Sequence, residues 1–214
     1  MRGIFITFEG IDGSGKTTQI NMLNDYLIDK GYDVLLTREP GGTPLGDIIR
    51  DILLNPENKG MSVKAETMLF MASRAELVEK VITPALKSGK IVICDRFFDS
   101  TIVYQGIARS LGAEKLLEMS LWVTSGIKPD ITFLLSINID ACEKRMDNDL
   151  KIPDRIENEK RNFKQKIQKG YKNIARENKD RFVVINGDRD IKSIFDTVRQ
   201  HVDMLLASKK TVKL

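Results

Sequence analysis

Apolar residues along this chain follow two alternating patterns. Short, near-continuous apolar runs occupy residues 3–8, 33–37, 90–94, 130–137 and 181–185, each bounded by Gly, Pro, Asp or Asn. Runs of this length predict strands buried on both faces. Between them, helical spacing predicts helices over 17–30, 43–53, 63–87, 113–125 and 139–145, with two more near 158–177 and 190–207. Strand alternating with helix predicts an α/β fold with a parallel sheet and helices on both faces. Ligands of such sheets bind beyond the carboxyl ends of the strands. Residues just after a strand therefore carry most weight: 10–18, 38–43 and 95–105.

Composition narrows this picture modestly. A chain of 214 residues suits one domain, or one domain with a lid, and a 42% hydrophobic fraction suffices for a core. The net charge of +4 suits phosphate-bearing ligands. Its bases are interspersed with acids, as in Arg176-Glu177-Asn178-Lys179-Asp180-Arg181, so a solvated mixed surface is expected and no nucleic-acid partner. Cys94 and Cys142 lack metal-ligand spacing, and the expectation is a reduced, cytoplasmic protein. His201 alone supports neither a zinc site nor a Ser-His-Asp triad, and it is expected at the surface of the last helix. The chain enters a strand almost at once and has no apolar run of membrane-spanning length, so neither a signal peptide nor a membrane partner is expected.

The strongest chemical signal is Gly10-Ile11-Asp12-Gly13-Ser14-Gly15-Lys16-Thr17-Thr18. It fits the phosphate-loop pattern G-x-x-x-x-G-K-[ST], in the strand–loop–helix context that supports it. The glycines let successive backbone N–H groups converge on one concavity, and the following helix adds its positive end. Lys16 then reaches the outer phosphates and the Thr17 hydroxyl sits on Mg²⁺. The alternative is a Gly-rich turn without function.

Two weaker signals follow the next two strands. Arg38-Glu39-Pro40-Gly41-Gly42-Thr43 is a turn that presents Arg38 as a phosphate grip, or else as a surface arginine paired with Glu39. Asp95 and Arg96, delivered by the run 91–94, suit a Mg²⁺-bound water and a second phosphate, or else pair with each other. Phe70 and Arg74 are spaced i, i+4 and share a helix face. A flat ring beside a planar cation suits a base; core packing for Phe70 and a solvated charge for Arg74 are the alternatives.

Taken together, G-x-D-G-x-G-K-T-T at Gly10, R-E-P-G-G-T at Arg38, E-T-x-L-F-x-x-x-R-A at Glu66, D-R-F-x-x-S-x-x-x-Y-Q-G at Asp95 and D-R-I-E at Asp154 resemble the bacterial thymidylate kinases, in family order over nearly the whole chain. The resemblance implies a three-layer P-loop kinase fold. A five-stranded parallel sheet is flanked by helices in a single domain, 1–214, with a lid at about 143–157. It implies transfer from ATP to dTMP with Mg²⁺, and a homodimer, for which the sequence offers only apolar positions such as Met68, Met71 and Leu77. Arg38 and Arg96 would hold the acceptor phosphate, and Asp12 would reach the 3′-hydroxyl. Phe70 would stack on thymine, and Arg74 and Gln105 would read its polar edge. Ser100 and Thr101 would line the base pocket, and Tyr104 would crowd the sugar.

The resemblance implies a mobile cation, carried either by an arginine inside the loop or by a basic lid. The loop interior here has no arginine, so a lid cation is expected, with Lys151 the first candidate and Arg145 the second; Arg155 is expected to be taken by a local salt bridge or by adenine. Rival readings are another P-loop nucleoside monophosphate or deoxynucleoside kinase, a nucleotide switch and a nucleic-acid ATPase. The switch reading wants Asp-x-x-Gly and Asn-Lys-x-Asp, whereas Asp95 is followed by Arg-Phe-Phe.

Overall fold

The computed structural model describes residues 2–147, 154–157 and 159–211. Its strands are β1 (Ile4–Glu9), β2 (Val34–Arg38), β3 (Ile91–Asp95), β4 (Ile131–Ser136) and β5 (Phe182–Asn186). They form one parallel sheet in the order β2-β3-β1-β4-β5. All five predicted strands are present, each starting one residue later than its apolar run. The pairing sets Phe8 and Arg38 both opposite Asp95. The ends of three strands therefore lie level along one edge.

Side chains alternate across a strand, and each sheet face has its own core. Ile4, Ile6, Phe8, Ile93, Phe133 and Leu135 pack with α1 (Lys16–Asp29) and α9 (Ile191–Thr211). Phe5, Val92, Cys94 and Leu134 pack on the opposite side. There they meet α3 (Val63–Leu77), α4 (Thr83–Lys87), α7 (Ile139–Asp147) and α8 (Arg161–Glu177). The result is the expected three layers. Two further helices, α2 (Pro44–Leu54) and α6 (Ala113–Val123), pack against the second set.

Three features differ from the sequence reading. The predicted helix over 63–87 is broken by a π-helical stretch, Val78–Ile82. A helix the pattern did not predict, α5 (Phe98–Thr101), runs into another π-helical stretch, Ile102–Ala108. It is buried on nearly every side, so it has no polar stripe from which a helical period could be read. His201 is half-buried rather than a surface residue, its ring edge-on to Phe133 at 6.3 Å.

Candidate functional site

The carboxyl edge of the sheet opens into a cavity of about 700 Å³. One end is the phosphate loop. Gly10, Gly13 and Gly15 all have positive φ, at 140°, 77° and 94°, conformations that side chains with a Cβ rarely adopt. Asp12, Gly13, Gly15, Lys16 and Thr17 line the cavity. Ile11 packs into the core, Ser14 is buried behind the loop, and Thr18 faces outward on α1. The Lys16 side chain is 6% exposed, and its ammonium donates to the carbonyls of Gly10 and Ile11 at 3.2 and 3.3 Å. These are long bonds on a flexible stem, which a phosphate oxygen can replace.

Arg38 and Glu39, neighbours at the end of β2, have opposite surroundings. Arg38 is 58% exposed and reaches Asp47 at 3.5 Å. Glu39 is buried, and burial raises its carboxyl pKa while Arg74 opposes the rise. Its partner is thus Arg74 rather than Arg38: Arg74 is 1% exposed and donates to Glu39 from Nε at 2.9 Å and from Nη2 at 2.5 Å. Nη2 also donates to the Thr101 hydroxyl at 2.9 Å. The solvated reading of Arg74 and the Arg38–Glu39 pair are both replaced by this buried arrangement. Among the described residues, Nη1 of Arg74 meets only the Met71 sulfur, at 3.6 Å. Phe70, one helical turn earlier on α3, is half-buried and lines the cavity instead of joining the core.

Arg96 pairs with Asp12 at 2.6 Å, which excludes Asp95 as its main partner. Burial works most strongly against the Arg96 charge, but Asp12, Tyr104, Tyr171 and Asp95 together outweigh it, so its pKa is raised. Nη1 donates to Ser100 and Tyr171, each at 3.2 Å. The guanidinium lies over the Tyr104 ring at 5.3 Å. Asp95 ends β3 at the cavity wall, and its buried Oδ1 has no hydrogen-bond partner among the described residues. A buried, unsatisfied carboxylate oxygen at the mouth of a phosphate loop suits the hydration shell of a divalent cation.

Gln105 donates its amide to Glu66 at 2.9 Å. Glu66 is a buried centre that sequence reasoning quoted only as part of a motif. Arg109 donates to it at 2.7 Å, and Arg155 forms an ion pair with it at 2.6 Å. Arg155 therefore pairs with Glu66 rather than with Asp154. Asp154 instead accepts the backbone N–H groups of Ile156 and Glu157. Arg50 was also missed. It lines the cavity beside Arg38, and burial followed by that like charge lowers its pKa. Lys164, in the first turn of α8, lines the cavity as well. Lys164 had no distinguishing signal among the many bases of α8, and Arg50, a lone base in the apolar helix α2, belonged to no quoted motif.

Of the lid cations, Arg145 lies across the phosphate loop, donating to Gly13 O at 3.4 Å and Gly187 O at 3.1 Å. Lys151 lies outside the described residues. The apolar positions named for a homodimer divide: Met71 and Leu77 are core, whereas Met68 is 51% exposed.

Comparison with known proteins agrees with this geometry. The family model described as thymidylate kinase matches residues 8–198. Thymidylate kinase from Thermosipho melanesiensis is 45% identical over 95% of this chain and 99% of its own length. The enzyme from Fervidobacterium nodosum is 47% identical over 89% and 94%. The crystal structure of thymidylate kinase from Ehrlichia chaffeensis superposes with a TM-score of 0.77 at 35% identity, covering 95% of this chain and 99% of that one. The motifs, their assembly at one sheet edge and these likenesses agree: the chain belongs to the thymidylate kinase family.

Proposed function

We propose that Mg-ATP supplies the phosphoryl group that this enzyme transfers to dTMP, giving dTDP and ADP, and that the two nucleotides meet head-on in the one cavity. The observation that carries the reading is that a single cavity joins the phosphate loop to a wall of Phe70, Arg74 and Gln105. The donor phosphates lie on the loop N–H groups and Lys16. Thr17 and Asp95 would hold the Mg²⁺, whose charge would offset that of the phosphate oxygens. Arg38 and Arg96 take the acceptor phosphate, with Arg50 adding to the positive field. Asp12, already beside Arg96, meets the sugar hydroxyl.

Base choice follows from donor and acceptor arithmetic. The Gln105 Nε2 is committed to Glu66, so the amide presents its carbonyl oxygen to the cavity. Arg74 presents Nη1. Thymine offers an N–H to the first and a carbonyl to the second, whereas cytosine offers a ring nitrogen and an amino group. Phe70 supplies the stacking face, Ser100 and Thr101 back the pocket, and Tyr104 closes on the deoxyribose. The chemistry asks mainly for alignment and charge neutralisation, because the acceptor phosphate is already nucleophilic. Residues 143–157 act as a lid over the single domain, with Arg145 the described cation nearest the loop and Lys151 its rival.

The same reading places the enzyme in the cytoplasm as a homodimer. Cys94 and Cys142 are unpaired and buried, and no helix among the described residues is long and apolar enough to cross a membrane. Leu45, Ile48 and Ile52 form an exposed i, i+3, i+7 stripe on α2, and Met68 is exposed on α3, the helix against which α2 packs. A second copy would cover this stripe. Specificity constants for dTMP, dUMP and dCMP test the base site, with dUMP weak and dCMP lower than dTMP by a factor of roughly a thousand or more. Comparable constants for dTMP and dCMP would sink the assignment.

A further inference from the structure

We propose that Glu9 is a positioning residue for Arg96, ordering from behind the guanidinium that grips the acceptor phosphate. The inference rests on the acceptor-phosphate role given to Arg96 above. Glu9 is the last residue of β1, on the same strand face as Phe5 and Thr7, so alternation turns its carboxylate toward the interior. It is fully buried and is not among the residues lining the cavity. A carboxylate in that position is costly to keep unless it is fully hydrogen-bonded.

Its two oxygens have separate partners, and both lead to Arg96. Oε1 accepts the backbone N–H of Phe97 at 2.9 Å. Phe97 follows Arg96, whose φ of 68° lies in the left-handed region, an uncommon conformation for a long side chain. The carboxylate thus pins the turn that points Arg96 into the site. Oε2 accepts the hydroxyls of Ser100 at 2.6 Å and Tyr171 at 2.7 Å. The same two hydroxyl oxygens accept from Arg96 Nη1 at 3.2 Å.

A hydroxyl has one proton. Donating it to Glu9 leaves the oxygen lone pairs for Arg96. The carboxylate therefore sets the direction of both relays. Asp12 holds the other end of the guanidinium through Nη2. Arg96 is fixed from two sides: Asp12 and Ser100 border the cavity, whereas Glu9 and Tyr171 lie behind it. Tyr171 can reach this point because Gly170 lets α8 approach the π-helical stretch. A Cβ at Gly170 would lie 3.1 Å from Val103.

The test measures KM for dTMP, KM for ATP, kcat and melting temperature in Glu9→Gln, Tyr171→Phe, Arg96→Ala and the Glu9→Gln/Arg96→Ala double variant. Glutamine keeps the size but cannot accept from both hydroxyls and the amide. Glu9→Gln should raise the KM for dTMP roughly tenfold with the KM for ATP unchanged, and should add no more than about twofold once Arg96 is already alanine. Tyr171→Phe, which loses one relay, should raise it by about threefold. If Arg96→Ala raises the KM for dTMP while folded Glu9→Gln leaves it unchanged, or moves both KM values alike, Glu9 is only a buried structural acid. The inference is then overturned and the role of Arg96 stands. If Arg96→Ala itself leaves the KM for dTMP unchanged, the acceptor-phosphate reading fails and this inference with it. Should Glu9→Gln not fold, an unchanged KM for dTMP in Tyr171→Phe overturns the proposal.

Discussion

The two ends of the cavity are built on different principles. The phosphate end is made of backbone: three glycines at positive φ, a helix N-terminus and one lysine, all within 10–18. The acceptor end is made of side chains held by other side chains across long sequence distances. Glu39 holds Arg74, Glu66 holds Gln105, and Glu9 reaches Tyr171. A backbone cradle can be substituted at its charged tip without disturbing the core. A network of buried charges cannot, because each partner left behind is an unpaired ion in a low-dielectric interior. Lesions at the first end should therefore cost activity alone, and lesions at the second should cost activity and stability together.

The largest separation should come from Lys16→Ala. Among the described residues its ammonium bonds only to carbonyls of its own loop, and it lies 3.7 Å from Asp12, so melting temperature should stay near that of the parent. Removing a cation that follows the migrating phosphoryl group should lower kcat on the order of a thousandfold. Near-normal turnover, or unfolding in step with lost activity, would break the contrast.

Glu39→Ala probes the other end. It leaves Arg74, 1% exposed, with Thr101 as its remaining oxygen partner. Chemical denaturation should show a loss of about 3 kcal/mol, the lower end of the range for breaking a buried pair. Thymine selectivity should fall in whatever fraction stays folded. A stability loss below about 0.5 kcal/mol would place this pair with exposed surface bridges such as Arg38–Asp47, and the comparison would fail.

The same division explains what could be read from the sequence. The loop was legible because its chemistry is contiguous and each glycine is required by local backbone geometry. The sheet was legible because strands buried on both faces leave unbroken apolar runs. Arg38, Arg96 and Asp95 could be placed at the edge and Arg74 on a helix face with Phe70, but their partners could not, since alternation and helical period carry no information about which strand end meets which helix. Glu39 and Asp154 were the nearest charges in sequence, and in each case the arginine chose a distant carboxylate instead. Two signals were present and unused. An acid ending a strand on the interior face, as Glu9 does, must find buried partners. Glu66, Phe70 and Arg74 at i, i+4 and i+8 form one row on α3. Helix α5 and its π-helical continuation were hidden by uniform burial, and they carry Ser100, Thr101, Tyr104 and Gln105.

The smallest effect, and the sharpest test of the acceptor network, is its response to pH. Burial, with the nearby Asp99 carboxylate second, pushes the Glu9 carboxyl from 4.5 up to about 7, while Arg96, Ser100 and Tyr171 pull it back. Asp99 is itself paired with Arg181 at 2.7 Å. A raised carboxyl pKa means that the folded state favours the protonated form. The stabilisation from proton uptake is complete below 4.5 and is lost as pH rises through about 7. Comparing the parent with Glu9→Gln isolates what Glu9 adds to the pH dependence. From about pH 5 to about pH 8 the parent should lose about 2 kcal/mol more unfolding free energy than Glu9→Gln. Urea denaturation of both proteins at the two pH values measures the difference directly. A difference near zero would mean that the hydrogen bonds to Glu9 offset its burial in full. A difference of opposite sign would mean that Arg96 dominates, leaving Glu9 an ordinary ion-paired carboxylate.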